Sequence, residues 1–180
     1  MIETPRLVLR QWRDKDIEPY CQLCADPEVM RYFPSVLTDQ ESADQIARFR
    51  ELINQNGWGF WALELKQNHE LIGMVGLHYQ DSNSGLPNAP LLEIGWRLSA
   101  KYWGNGYAPE AARAALNYGF EHVVDGLGLA EIHAFTAGVN LPSQRVMEKI
   151  GMSNTGNDFL HPKLERDHWL APHVLYSILK

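Results

Sequence analysis

The sequence predicts a single α/β domain over residues 1–180, in which helices flank a mixed, mostly antiparallel sheet of about seven strands. Three observations predict it. The length of 180 residues is near that of one domain with a substantial core. Stretches of two-residue alternation interleave with stretches of helical periodicity. Several neighbouring strands are joined by short polar turns, which makes hairpins, and no linker, internal repeat or low-complexity tract divides the chain.

Residues 6–12 alternate polar and apolar and read as a half-buried strand. Asp14 is placed to cap a helix carrying Ile17, Tyr20, Cys21, Leu23 and Cys24, and residues 33–37 are irregular. Thr38 and Glu41 have the spacing of a capping box, opening a helix to about Asn56 with Ile46, Phe49, Leu52 and Ile53 on one face. Gly57 and Gly59 end it. Strands follow at 58–66 and 70–79 around the turn Gln67-Asn68-His69, then a loop rich in Ser, Asn, Gly and Pro from Asp81 to Pro90, then a strand at 91–98. After Gly104-Asn105-Gly106 a helix runs to about His122, with Ala108, Ala111, Ala112, Ala115, Leu116 and Phe120 inward. A strand at 130–137, a short helix at 142–150 and two last strands near 153–160 and 168–179 complete the chain.

Composition excludes several classes. Apolar residues are 45% and charged residues 21%, which fits a globular protein and argues against disorder. The net charge of −6 and the lack of a basic cluster argue against nucleic-acid binding. No stretch approaches the roughly 18 apolar residues of a membrane helix, and the start shows no secretory signal, so a cytoplasmic protein is expected. Cys21 and Cys24 form a C-x-x-C without a second pair, as helix packing rather than a zinc or redox site would have it. No metal constellation is present.

The chemistry concentrates between Glu93 and Glu110. A strand delivers the chain to a glycine turn and a helix begins at once, which aims unpaired backbone N–H groups and the positive helix end at one point. Such a place takes an anion, and a pyrophosphate is the natural guest. Glycine at 104 and 106 lets the backbone approach phosphates, and Pro109 falls in the first turn, where its missing N–H costs nothing. The hexamer Gly104–Pro109 lacks the third glycine of the dinucleotide fingerprint, and no Gly-Lys-Ser/Thr of a P-loop follows. Taken alone, it could also be a tight turn that binds nothing.

A second stretch is Asn140-Leu-Pro-Ser143-Gln-Arg145-Val146-Met-Glu148-Lys149-Ile150-Gly151-Met152. Together the two segments resemble the GNAT N-acetyltransferases. The first is similar to that family's R/Q-x-x-G-x-G/A loop followed by Tyr-Ala-x-Glu-Ala, with Trp103 at the first position. The second resembles its Asn-x-x-Ser-x-x-Val-x-Glu-Lys-x-Gly-Phe signature, with Met152 in place of the aromatic. The opening Thr4–Arg10 and the closing His173–Tyr176 look like the RimJ/RimL-type branch, which acetylates ribosomal-protein N-termini.

The resemblance implies the GNAT fold, with a splayed strand pair for acetyl-CoA as acyl donor, and a monomer or homodimer. It implies that the strand backbone through Trp96, Arg97 and Leu98 pairs with the pantetheine arm. It further implies that Trp103, Gly104, Asn105, Gly106, Tyr107 and Ala108 cradle the pyrophosphate, with Trp103's side-chain part open, and that Asn140 bonds the cofactor near its thioester. Ser143 matches a position where relatives hold a hydroxyl near the departing sulfur; it could equally cap the helix beginning near 142–144.

The acceptor amine must be neutral to attack. A protein α-amine, with a pKa of roughly 7.7–8.0, is neutral in part at pH 7, whereas a lysine amine near ~10.4 scarcely is. An α-amine therefore needs only a modest base. Glu93 is the candidate, on the strand leading to the loop and of opposite parity to Ile94, Trp96 and Leu98; a surface or ion-paired glutamate is the other reading. His78 and His133 on flanking strands are in reserve, and Tyr32, Phe33, Trp58 and Trp61 lie where relatives form the acceptor groove. The acceptor itself stays open between a peptide N-terminus and a small amine. A non-catalytic acyl-CoA-binding module and an NAD-binding oxidoreductase are the rival classes.

Overall fold

The computed structural model describes residues 1–123 and 130–180. The chain forms two compact units, one from Met1–Gly76 with Gly95–Ala115, the other from Leu77–Ile94 with Leu116–Lys180. In chain order the elements are β1 (Ile2–Glu3), β2 (Leu7–Arg10), α1 (Ile17–Ala25), α2 (Pro27–Met30), α3 (Asp39–Asn56), β3 (Phe60–Leu65), β4 (Leu71–Gln80), β5 (Leu91–Leu98), α4 (Tyr107–Tyr118), β6 (Glu131–Ala137), α5 (Leu141–Lys149), β7 (Ser153–Asn154), β8 (Phe159–Leu160) and β9 (Pro172–Leu179). The strands pair in the order β1-β2-β3-β4-β5-β6-β9-β7, with β8 also on β9. Nine strands therefore replace the seven or so expected. β1 is a two-residue addition to the edge of β2, and the strand expected near 153–160 breaks into β7 and β8 around Gly156, whose φ is +73°.

In the first unit β2, β3 and β4 form an antiparallel ladder, with Leu7↔Leu65 and Arg10↔Ala62 at the ends of its β2–β3 part. Its apolar face is covered by α1, α2 and α3, whose Tyr20, Leu23, Cys24, Val29, Met30, Ile46 and Phe49 form a core with Trp12, Ala62 and Met74. The aromatic members meet edge to face, Trp12 on Tyr20 at 4.9 Å and Phe49 on Phe60 at 5.3 Å between ring centres. Both cysteines lie free within or beside this core, and burial pushes the Cys21 thiol up.

The Thr38 capping box forms as expected, with Thr38 Oγ1 accepting from the Glu41 N–H and the Glu41 carboxylate accepting from the Thr38 N–H. Gly57 closes α3 in the left-handed conformation, φ 79°. Asp14 does not cap α1. Its carboxylate pairs with Arg50, and a 3₁₀ turn at Asp14–Asp16 leads into the helix instead. Asp16 is the organising acid: it accepts from the Arg13 N–H and, with Glu64, clamps the buried Arg10 guanidinium at 2.6–2.9 Å.

In the second unit β6 and β9 make a seven-pair antiparallel ladder from Glu131↔Leu179 to Ala137↔His173. β7 and β8 lie antiparallel against β9, and α5 buries Met147. β5 and β6 are parallel, and their pairing covers only Leu92↔Ile132 and Glu93↔His133. The rest of β5 has no β6 partner among the described residues.

Candidate active site

The glycine loop belongs to the first unit. Gly104 and Gly106 both have left-handed φ, 77° and 78°, a conformation that L side chains rarely adopt. A Cβ at Gly104 would meet nothing within 4 Å, so the loop is open on that side. Among the described residues, no hydrogen bond reaches the N–H groups of Gly104, Asn105, Gly106, Tyr107 or Ala108. Five donors stand together at the head of a twelve-residue helix, an arrangement able to receive an anion.

Side chains fix the loop from below. The Asn105 amide donates to the carbonyls of Tyr102 and Trp103, both at 3.1 Å. Trp103, at the position where an Arg or Gln was expected, donates from its indole to the Leu98 carbonyl at 2.9 Å and so ties the loop to the end of β5. The Arg31 guanidinium packs over its ring at 5.5 Å, which brings a cation to the loop by another route.

A third attachment comes from the N-terminal segment. Glu110, in the first turn of α4, accepts from Thr4 Oγ1 at 2.6 Å, from the Arg6 N–H at 3.0 Å and from Arg6 Nε at 2.7 Å. Arg6 Nη1 reaches on to the Asn105 carbonyl at 2.9 Å, and its guanidinium lies over the Tyr107 ring. Burial pushes the Glu110 carboxyl up, but the Thr4 and Arg6 hydrogen bonds outweigh it and hold the group below the ordinary carboxylate range. The roles of Thr4, Arg6 and Glu110 in this clamp were not read individually from the sequence. Arg6 cannot be paired with Glu110, 104 residues further along the chain, without coordinates.

Of the strand residues, Trp96 is half-buried and Leu98 buried. The Arg97 side chain turns into the helical layer, where Nη1 lies 3.2 Å from the Tyr20 hydroxyl, 3.1 Å from Cys24 Sγ and 3.5 Å from Gln45 Oε1, with the Phe33 ring 4.4 Å away over the guanidinium. Any hold of Arg97 on a cofactor along β5 therefore falls to its backbone. Of the aromatics assigned to an acceptor groove, Trp61 is core, Tyr32 and Trp58 are half-buried, and Phe33 is exposed.

The second unit holds Glu93, Asn140 and Ser143. Glu93 is not a surface group, being 8% exposed, and it makes no ion pair among the described residues; its carboxyl accepts from the Gln80 amide at 3.1 Å. Burial pushes it up to about 7, against the weaker opposing pulls of the Gln80 hydrogen bond and the Lys163 charge. Its register partner His133 is also buried, with Nδ1 lacking a hydrogen bond and Nε2 3.6 Å from Glu131. Burial lowers the His133 pKa, against the opposing pull of the Glu131 charge. His78, the other reserve histidine, is half-buried on β4. Gln80 was not foreseen; its only trace in the sequence is its place as the polar last residue of an apolar strand.

The cap of α5 is Asn140 rather than Ser143. Asn140 Oδ1 accepts from the Ser143 N–H at 3.3 Å and Nδ2 donates to Thr136 Oγ1 at 2.9 Å. The Ser143 hydroxyl, at the third helical position, makes no hydrogen bond among the described residues and is left for other chemistry. No group of three or more His, Cys, Asp or Glu that could hold a metal ion is found among the described residues. None of their helices is long and apolar enough to cross a membrane.

Comparison with known proteins bears on this arrangement. Residues 6–153 match the acetyltransferase (GNAT) domain family. The chain is 36% identical to YkkB of Bacillus subtilis over 152 residues, 83% of each protein. It is 32% identical to the N-acetyltransferase YoaA of the same organism over 160 residues, 87% of this chain and 84% of that one. A crystal structure of a GNAT-family acetyltransferase from Bacillus anthracis superposes with a TM-score of 0.78 at 30% identity, covering 99% of this chain and 97% of that one.

Proposed function

We propose, for a chain that belongs to the GNAT acetyltransferase family, that it moves the acetyl group of acetyl-CoA onto a primary amine by direct attack, with no acetyl-enzyme. That the chain is an acetyl-CoA-dependent acetyltransferase follows from the family; the acceptor and the residue roles are the proposal. The observation that carries it is the row of five N–H groups from Gly104 to Ala108 at the head of α4, which have no hydrogen-bond partner among the described residues. We take residues 1–180 as one catalytic domain, because each unit interleaves two separate stretches of chain.

The residues fit the donor. The loop offers backbone donors to a pyrophosphate, with Trp103 acting through its bond to Leu98 and Arg31 supplying positive charge. The β5 backbone at Trp96, Arg97 and Leu98, which lacks a β6 partner, suits a pantetheine arm that pairs like a strand. Asn140 keeps one amide hydrogen beyond its two bonds. Acetyl-CoA when bound supplies an activated thioester; the protein's own work is to hold it, take one proton and give one back.

Glu93 is the proton acceptor in this reading. A carboxyl near 7 is half ionised at neutral pH and far more basic than an ordinary glutamate, so it can take the proton of an attacking ammonium directly or through one water. Ser143, whose hydroxyl is not spent on capping, is the donor to the departing thiolate. A protein N-terminal α-amine is the acceptor that the RimJ/RimL likeness supports. A small amine with an anionic group is a second reading, favoured by the buried Arg97 guanidinium. Both are tested by thiol release from acetyl-CoA against N-terminal peptides, amino acids, polyamines and aminoglycosides. Transfer to a peptide amine selects the first reading, and transfer to a small acidic amine selects the second.

A further inference from the structure

Arg97 is a buried cation without a counter-ion among the described residues. It is 9% exposed, and among the described residues no carboxylate lies within ion-pair distance of it. Its neighbours are the Tyr20 hydroxyl, the Cys24 sulfur and the Gln45 amide oxygen, all on Nη1. Nε is buried with no hydrogen bond, and Nη2 makes none among the described residues. A guanidinium keeps its charge at any working pH, and burying it without a partner is unfavourable. Arg10, in the same unit, shows the ordinary solution: two carboxylates on one buried guanidinium.

The unused atoms are informative. Nε and Nη2 form one edge of the guanidinium fork, with parallel N–H bonds spaced to match the two oxygens of a carboxylate. The guanidinium lies over the Phe33 ring, and Phe33 is 38% exposed and sits in an irregular stretch between α2 and α3. A side chain that is half in solvent, on a segment without regular hydrogen bonding, can move aside at little cost. Phosphate groups already have a partner in the loop donors, so a second anion receptor in this unit points to the other substrate.

We propose that Arg97 is the specificity residue for an acceptor that carries a carboxylate beside its amine, an amino acid or a close analogue, with Phe33 folding over the ion pair. The proposal rests on the acetyl-transfer reading and selects the small acidic amine over the protein N-terminus. It also disfavours polyamines, which would bring further cations toward a buried one.

The test compares wild-type rates on matched acceptors, α-amino acids against their own amides and methyl esters, with spermidine alongside. The amide has the less basic amine, more of it neutral at a given pH, so intrinsic reactivity favours the amide and a preference for the acid can come only from recognition. The expected result is kcat/KM at least tenfold higher for the free acids. In Arg97→Gln the preference should vanish and in Arg97→Lys it should shrink. Equal rates on acids and amides in the wild-type enzyme, or spermidine as the best acceptor, would overturn the proposal and leave acetyl transfer standing. Absence of transfer to every amine would remove both. The wild-type comparison needs no variant, so a misfolded Arg97→Gln does not shield the idea.

Discussion

The Gln80 amide donates to the Glu93 carboxyl across 3.1 Å, inside a site where that carboxyl has lost nearly all its water. One neutral hydrogen bond offsets only part of the desolvation, and the group is pushed up to about 7. As the base, Glu93 must be ionised to act, so kcat should rise with pH along a limb centred near 7. Glu93→Gln should lower kcat roughly a hundredfold or more and abolish that limb. A full pH–rate profile of both enzymes checks this; an unchanged limb in the variant would reassign it to another group.

The same carboxyl predicts a stability effect of opposite sense. Its folded value, about 7, lies above the ordinary 4.5, so the folded state holds the proton more tightly. The stabilising contribution is full below about pH 4.5 and lost as pH rises through about 7. Above that, the buried carboxylate costs up to about 3 kcal/mol relative to a neutral group. Glu93→Gln should therefore melt near the wild-type temperature at pH 5 and above it at pH 8. Equal melting temperatures at pH 8 would contradict the burial of an ionisable Glu93.

Arg10, Asp16 and Glu64 respond to acid instead. Burial pushes both carboxyls up, but the Arg10 hydrogen bonds overcome it and hold both below the usual range. Their contribution is present above the unfolded carboxylate range and lost as pH falls through the lower folded values. Arg10→Met should cost about 3–5 kcal/mol at pH 7, because two buried carboxylates lose their partner. Urea titrations at pH 7 and pH 3 should show this penalty shrinking at low pH as the carboxyls take up protons.

Gly106→Asp should abolish acetyl-CoA binding. Its φ of 78° resists a side chain, and the new carboxylate would stand among donors that serve a pyrophosphate. Calorimetry reads the result, and micromolar affinity in the variant would sink the loop assignment.

Ser143→Ala and Asn140→Ala should separate catalysis from capping. Asn140 carries the cap, so its loss should cost about 1 kcal/mol of stability. Ser143→Ala should leave both stability and acetyl-CoA affinity near wild type while turnover falls. Unchanged turnover would leave the Ser143 hydroxyl without a role.

Much of this was legible in the sequence where a local rule governs. Thr38 and Glu41 announce the start of α3, Gly57 its end, and the alternation of residues 91–98 coincides with β5. The glycine loop's conformation was legible for the same reason, since left-handed φ and a helix start are local features. What the sequence did not reveal depends on distant partners. β1 exists only by pairing with β2, and Asp14 yields its expected cap to an Arg50 ion pair. The Glu93–Gln80 bond spans an intervening loop, and the solitary burial of Arg97 depends on α1, α3 and Phe33 together.

The central claim is acetyl transfer from acetyl-CoA to an amine, and the most direct measurement is amine-dependent thiol release with the acetylated product identified by mass. The account predicts release that requires an amine, saturates in both substrates and falls with Glu93→Gln. Tight acetyl-CoA binding with no amine-dependent release from any acceptor would contradict it and leave a protein that binds the thioester without using it.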